Sequence, residues 1–255
     1  MEQFPFRNLP LEVKIQFLAN VNEKEFDTLN QISEFDYLLH EYPNSERVYE
    51  ERSKRKFTDL VQFKDQDVKP MTWKEFYVRM IAIISQLNVI VLIISDLIRC
   101  NKLMELKVIS ELAPEEFIRE MNRYVDNVAA CGHIQMLQWL ETKKILPDKI
   151  GMDYSIGNGH LDVAQWLADR NINPTQEGAK VAAFWDKIDS LEWIYNNFGL
   201  LPDAISVADA ANRGSINVLD WAYSKGVKPE RRNLKPREIQ RYPEVVNWFV
   251  EHTKK

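Results

Sequence analysis

Cysteine is nearly absent from this chain: Cys100 and Cys131 are the only two, and neither has a second cysteine or a histidine at ligand spacing. That leaves no basis for a disulfide framework or a thiolate metal site, and makes a reducing compartment the simpler setting. Histidine is also scarce, with four in 255 residues. The sequence holds no GxSxG, GxxxxGK[ST] or HExxH string and no glycine-rich nucleotide loop, so no catalytic, cofactor-binding or metal-binding residue is assigned and no enzyme is expected. Glycine (8) and proline (11) are too few for a low-complexity linker. A net charge of −5 lacks the basic balance that phosphate binding needs, which argues against nucleic acid as a partner. The opening MEQFPFRNLPLEV has no apolar core of the kind a secretory signal carries.

A long hydrophobic run is also missing, with one near exception. Residues 80–95, MIAIISQLNVIVLIIS, carry no charge. A membrane span needs about 20 apolar residues, and this run is shorter and broken by Ser85, Gln86 and Asn88. It is read as a buried helix pair, with no membrane partner.

What the chain does have is a period. Trp139, Trp166, Trp193, Trp221 and Trp248 are separated by 27, 27, 28 and 27 residues, within GHIQMLQWL, GHLDVAQWL, DKIDSLEWI, GSINVLDWA and RYPEVVNWF. Apolar residues at Ile134, Leu137 and Leu140 define one helix face in the first block. Small residues precede each turn (Ala129-Ala130, Ala182-Ala183, Ala210-Ala211), allowing a second helix to approach closely. Gly132, Gly159 and Gly214 sit where the chain must reverse. Pro147, Pro174, Pro202 and Pro229 follow each tryptophan by eight or nine residues, where they end one helix and can open the next. Each unit is thus a proline–helix–turn–helix hairpin that completes its core only by stacking on its neighbours. The tryptophans are expected to fill the gaps between helices, and His133 and His160 to hold the turns by hydrogen bonds. LNVIVLIISDLI (87–98) fits the same block as an imperfect first repeat, followed by an insertion with a helix opened by Pro114-Glu115-Glu116.

The string AACGHIQMLQWL resembles the second half of an ankyrin repeat, and the likeness covers about 129–250. The period of about 27 against the family's 33 implies a protruding finger trimmed to a short loop. The family's T-P-L-H opening is absent, and Tyr242-Pro243 stands at the turn of a degenerate terminal cap.

Residues 1–50 read as short helices with an acidic bias, carrying Phe26, Leu29, Ile32, Phe35, Leu38 and Leu39 on an apolar face. Leu9-Pro10-Leu11-Glu12-Val13 followed by Glu25-Phe26, Leu29 and Ile32-Ser33 resembles the two spaced strings of the F-box, with Tyr49 near the place of its late aromatic. The likeness departs at Phe26, where the family usually has Leu, and at Glu34-Phe35-Asp36, where it has a basic-aromatic pair. It implies docking onto the Skp-type adaptor of a cullin–RING ubiquitin ligase through Leu9, Pro10, Val13, Leu18, Phe26, Leu29 and Ile32, some of which must also hold the helical core. Residues 51–79 connect the parts. There Thr72 and Glu75 have capping-box spacing, and the basic run Arg52–Lys56 reads as a solvated helix face. The whole order resembles F-box/ankyrin proteins of large DNA viruses that infect amoebae.

The expectation is therefore an all-α chain: an F-box-like block (1–50), a helical connector (51–79), a degenerate first repeat with an insertion (80–128), then a solenoid of short ankyrin-like repeats with a C-terminal cap (129–255). It would act in the cytoplasm of a eukaryotic host cell as a ligase substrate receptor, or alternatively as a scaffold or decoy whose first block is only a cap. Tyr154, Phe184, Trp185 and Arg213 are the expected target-binding residues. Trp185 is out of register with the other tryptophans, and exposed Trp and Arg dominate interfaces. The basic stretch 228–241 could meet an acidic target or simply be a solvated cap.

Overall fold

A computed structural model describes residues 10–29, 31, 36–39, 44–65, 70–86 and 90–252, and all regular structure among them is helical. In chain order the helices are α1 (Leu11–Asn20), α2 (Glu23–Leu29), α3 (Asp36–Leu39), α4 (Asn44–Lys56), α5 (Trp73–Gln86), α6 (Ile90–Arg99), α7 (Leu103–Leu112), α8 (Pro114–Ala130) and α9 (Ile134–Thr142). They continue as α10 (Lys149–Asn158), α11 (Leu161–Ala168), α12 (Gln176–Phe184), α13 (Ile188–Phe198), α14 (Ala204–Asn212), α15 (Ile216–Ser224), α16 (Pro236–Ile239) and α17 (Pro243–His252). Short 3-10 turns lie at Val61–Phe63 and Arg231–Asn233. The chain forms two compact units, one from the residues up to Leu97 with Lys102–Phe117, the other from Ile98–Asn101 with Ile118 onward.

In the first unit α4 packs against α1, α3 and α5. Its core is aromatic: Phe26 meets Tyr49 edge to face at 5.7 Å, Tyr49 lies 5.6 Å from Tyr77, and Phe57 lies 5.4 Å from Tyr77. Such rings bring large buried areas and prefer these tilted contacts. Helix α5 opens on the expected capping box, with Thr72 N–H donating to Glu75 (2.8 Å) and Glu75 N–H to Thr72 Oγ1 (3.2 Å). The uncharged run 80–95 divides into the end of α5 and the start of α6. Among the described residues no helix is long and apolar enough to cross a membrane.

One expectation fails here. The basic run of α4 is not a solvated face throughout, because Arg52 is only 3% exposed. Its guanidinium donates to the Leu18 and Val21 carbonyls (2.7 and 2.9 Å), to Glu23 (2.8 Å) and to the Tyr77 hydroxyl, and stacks 3.7 Å over the Phe26 ring. The carbonyls left orphaned at the C-terminal end of α1 thus find their donor in another helix. Lys54, Arg55 and Lys56 are exposed as expected.

In the second unit, hairpins α10–α11, α12–α13, α14–α15 and α16–α17 stack, α10 on α12 on α14 on α16 and α13 on α15 on α17. The small residues explain the close stacking: a Cβ on Gly157 would stand 2.2 Å from Val181 Cγ1. The turns of α8–α9, α10–α11, α12–α13 and α14–α15 close the same way. The His133, His160, Lys187 and Ser215 N–H groups donate to the carbonyls of Val128, Ser155, Ala182 and Ala210, the bond that ends helices around a left-handed residue. Gly132 (φ 75°) needs its lack of a side chain twice over, because an added Cβ would stand 2.4 Å from the His160 ring. His160 thus bridges successive turns by packing.

The prolines sit differently from expectation. Pro147, Pro174 and Pro202 lie one residue outside the helix, and the next residue is the N-cap: Asp148 accepts from Ile150 N–H (2.6 Å), Thr175 from Glu177 N–H (3.1 Å) and Asp203 from Ser206 N–H (2.8 Å). A side-chain acceptor at that position satisfies a donor that proline at the first helical position would merely remove. Pro114 and Pro236 do open helices, α8 and α16.

The tryptophans are not all core. Trp221 and Trp248 are buried, but Trp139, Trp166 and Trp193 are half-buried. The indole N–H explains the placement: Trp221 donates to Glu192 (2.7 Å) and Trp248 to Asp220 (2.6 Å), each reaching the acid beside the preceding repeat's tryptophan. Trp166 is covered by Arg170, 3.8 Å above its ring, which also bonds Glu141 through two nitrogens. These rings therefore bridge neighbouring repeats at their polar edge.

Candidate protein-binding surfaces

The first candidate surface is on α1. Helix α1 has apolar residues on two faces. Ile15, Leu18 and Ala19 turn into the core, while Pro10, Val13 and Phe17 form a stripe on the other side at steps of three and four. Val13 is 46% exposed and Phe17 41%, with Leu11 also exposed. Polar partners fix the helix beside this stripe: Glu12 pairs with Arg47, and Arg55 donates to Gln16 (2.6 Å) and Asn20 (2.5 Å).

The expected adaptor-binding residues differ in their burial. Pro10 and Val13 are on the surface and Leu29 is half-buried, whereas Leu18 and Phe26 are interior side chains that hold α1 and α2 to α4 and α5. Leu9 and Ile32 lie outside the described residues. Phe17 is the side chain that reading for motifs overlooked. Its position four residues after Val13, off the Ile15–Leu18 face, was the available signal.

Beside α1, Glu23 joins Arg52, Lys56 and the Tyr77 hydroxyl. Burial alone would raise its carboxyl, but the bonds from Lys56 and Tyr77 and the charge of Arg52 outweigh it and hold the pKa below the ordinary range. Burial, and then the bond to Glu23, push the Tyr77 hydroxyl well above its ordinary value. The cluster is a structural ion pair, and its groups are already bonded to one another.

The second candidate surface lies on the first helices of the repeats. Tyr154 (49% exposed), Phe184 and Trp185 (51%) all face solvent, and with Val181, Glu177 and Lys180 they line a groove of ≈310 Å³. Phe184 and Trp185 meet edge to face at 5.0 Å. The Arg213 guanidinium caps them, 4.1 Å over Phe184 and 5.3 Å over Trp185. The four residues expected at a target site are therefore brought together by α10, α12 and the turn after α14. Two groove residues lacked any sequence signal: Asp209, and Lys180, which pairs with Asp203 (3.2 Å) and Glu177 (3.5 Å).

Carboxylates lock the stack that presents this groove. Asp126 accepts from the Asp148 and Gly151 N–H groups of the next repeat (3.0 and 3.1 Å). Asp153 accepts from the Thr175 N–H (2.7 Å) and its hydroxyl. Gly151 and Gly178 make room, since a Cβ on either would stand 2.6 or 2.9 Å from the carboxylate. Where the period reaches Lys180, the pairing continues with reversed charge to Asp203, and Asn212 then exchanges two bonds with Asn233 and Lys235.

His133 gives the stack a pH dependence. Burial lowers its pKa below the ordinary 6.5, reinforced by the nearby His160 and opposed by a hydrogen bond to the Ile98 carbonyl, while Nε2 is buried without a partner. The fold favours the neutral ring, so its contribution is complete above 6.5 and is lost as pH falls below that value through the depressed folded pKa. Urea unfolding at about pH 7.5 and about pH 5.5 should show a loss for the wild type that shrinks in His133→Gln. Equal losses in both proteins would contradict this reading.

Among the described residues no group of His, Cys, Asp or Glu is placed to hold a metal ion. Compared with protein-family models, curated proteins and solved structures, the chain matches none of them.

Proposed function

We propose that the chain is a protein-binding receptor of a Skp–cullin–F-box-type ubiquitin ligase. Residues 1–50 form the F-box-like adaptor-binding block, and residues 129–255 a solenoid of short ankyrin-like repeats that holds a target protein. The observation that carries this reading is the exposed Pro10–Val13–Phe17 stripe, on the helix that begins with the LPLEV string. An apolar stripe framed by fixed polar groups is what a partner helix buries. The aromatic-and-arginine groove supports a second protein surface on the repeats. The chain would contribute proximity between ligase and target and no reacting group. Its setting would be the cytoplasm of a eukaryotic cell.

Purified full-length chain should retain a eukaryotic Skp-type adaptor in a pull-down. Val13→Glu with Phe17→Glu should abolish retention while leaving the helical circular dichroism unchanged, because Val13 is 46% and Phe17 41% exposed. A folded wild type that retains no adaptor would remove the ligase reading. In that case the scaffold reading stands, favoured by the commitment of Leu18 and Phe26 to the interior.

A further inference from the structure

The aromatic groove does not end at Arg213. The same residue helps to line a second depression of ≈340 Å³, with Asn212, Glu238, Arg241 and Tyr242. Arg213 therefore joins the two: its guanidinium caps Phe184 and Trp185 of the groove, and it lines the second depression together with Arg241. The charge around this junction is one-sided. Residues 228–241 contain six basic and two acidic side chains in a chain whose net charge is −5. The two acids are taken up locally, Glu230 by Arg232 (3.5 Å) and Glu238 by Lys235 (3.6 Å). Arg213, Arg237 and Arg241 are exposed and have no carboxylate partner among the described residues. At the groove end the balance reverses: Lys180 is neutralised by Glu177 and Asp203, and Asp209 has no cationic partner among the described residues.

We infer that this continuous surface binds an acidic peptide segment of a partner protein that carries a large apolar side chain. That side chain lies between Tyr154 and Trp185, and the neighbouring carboxylates meet Arg213 and Arg241. Guanidinium groups bind carboxylates through paired parallel bonds, and an arginine already flattened on aromatic rings has lost little freedom still to lose. Aromatic side chains at the centre with charge at one edge form the usual anatomy of a specific peptide site. A nucleic acid strand fits less well, because phosphates laid along the rings would meet Asp209. The inference rests on the repeats being the target-binding half of the protein, and it is independent of whether the first unit binds an adaptor.

The test is selection of a displayed random-peptide library on the immobilised full-length chain. The expected result is enrichment of peptides with clustered Asp or Glu beside Leu, Phe or Trp. A synthetic copy of the enriched sequence should bind at least about tenfold more weakly to Arg213→Glu, Arg241→Glu and Trp185→Ser. Its binding to the Val13→Glu/Phe17→Glu variant should be unchanged, which separates this site from the adaptor surface. Arg241→Glu touches neither ring, so it decides the matter even where Arg213→Glu disturbs Phe184 and Trp185. Enrichment of basic or uncharged peptides, wild-type affinity in Arg241→Glu, no enrichment, or displacement of the peptide by homopolymeric RNA would each overturn the proposal.

Discussion

Arg52→Ala is expected to destabilise the first unit by about 3 kcal/mol, in the range for removing one partner of a buried ionic cluster. The substitution removes the donors to the Leu18 and Val21 carbonyls, frees Glu23 and Tyr77 from their shared partner, and opens space over Phe26. Arg52→Lys should recover little, because a single ammonium cannot replace a planar fork that serves carbonyls, carboxylate and hydroxyl together. Arg55→Ala, three residues on but exposed, should change stability by no more than about 0.5 kcal/mol. Amide exchange in α1, α4 and α5 is the suitable readout, because a chain of two compact units need not unfold in one step. Equal protection in Arg52→Ala and Arg55→Ala would contradict the assignment. The same cluster predicts an acid effect. Glu23 has a depressed pKa, so its contribution is complete above the ordinary carboxylate value of 4.5 and is lost as pH falls through the folded pKa.

The second large effect belongs to Asp153, which is buried where α10 meets the start of α12. Asp153→Ala should cost about 2–3 kcal/mol, since it removes charge-assisted bonds and leaves the Thr175 N–H and hydroxyl without their acceptor. Asp153→Asn keeps an oxygen for the N–H and should cost about half as much. In a stack of hairpins that contact chiefly their neighbours such damage is local, so exchange should rise at the α10–α12 interface before it rises in α14 and α15. Loss of protection confined to α8 and α9 instead would show that the ladder does not carry the stacking.

What the sequence disclosed and what it hid follow from the range of each interaction. The tryptophan period, the alanine pairs and the turn glycines are local or strictly periodic, and they identify the hairpins α10–α11, α12–α13 and α14–α15 directly. The Thr72–Glu75 cap is likewise contained within four residues. Arg52 was hidden because its neighbours in sequence are solvated charges, while its partners come from α1, α2 and α5. The carboxylate ladder was hidden because it crosses from one repeat to the next and changes chemistry on the way, from Asp126 and Asp153 to Lys180 and Asn212. The acceptors of the Trp221 and Trp248 indole N–H groups were hidden for the same reason, since Glu192 and Asp220 belong to the preceding repeat. At the groove, Trp185 was legible because it breaks the period, and Arg213 because exposed arginine is favoured at interfaces. That Asp209 and Arg241 have no ion-pair partner among the described residues becomes visible only once the pairs around them are known.

The central claim is that the chain carries its adaptor-binding surface on the outward stripe of α1. Hydrogen–deuterium exchange of the full-length chain, with and without a saturating Skp-type adaptor, tests it most directly. The account predicts new protection over residues 10–20, and none over 149–185. Adaptor present at saturating concentration with no change along α1 would contradict it.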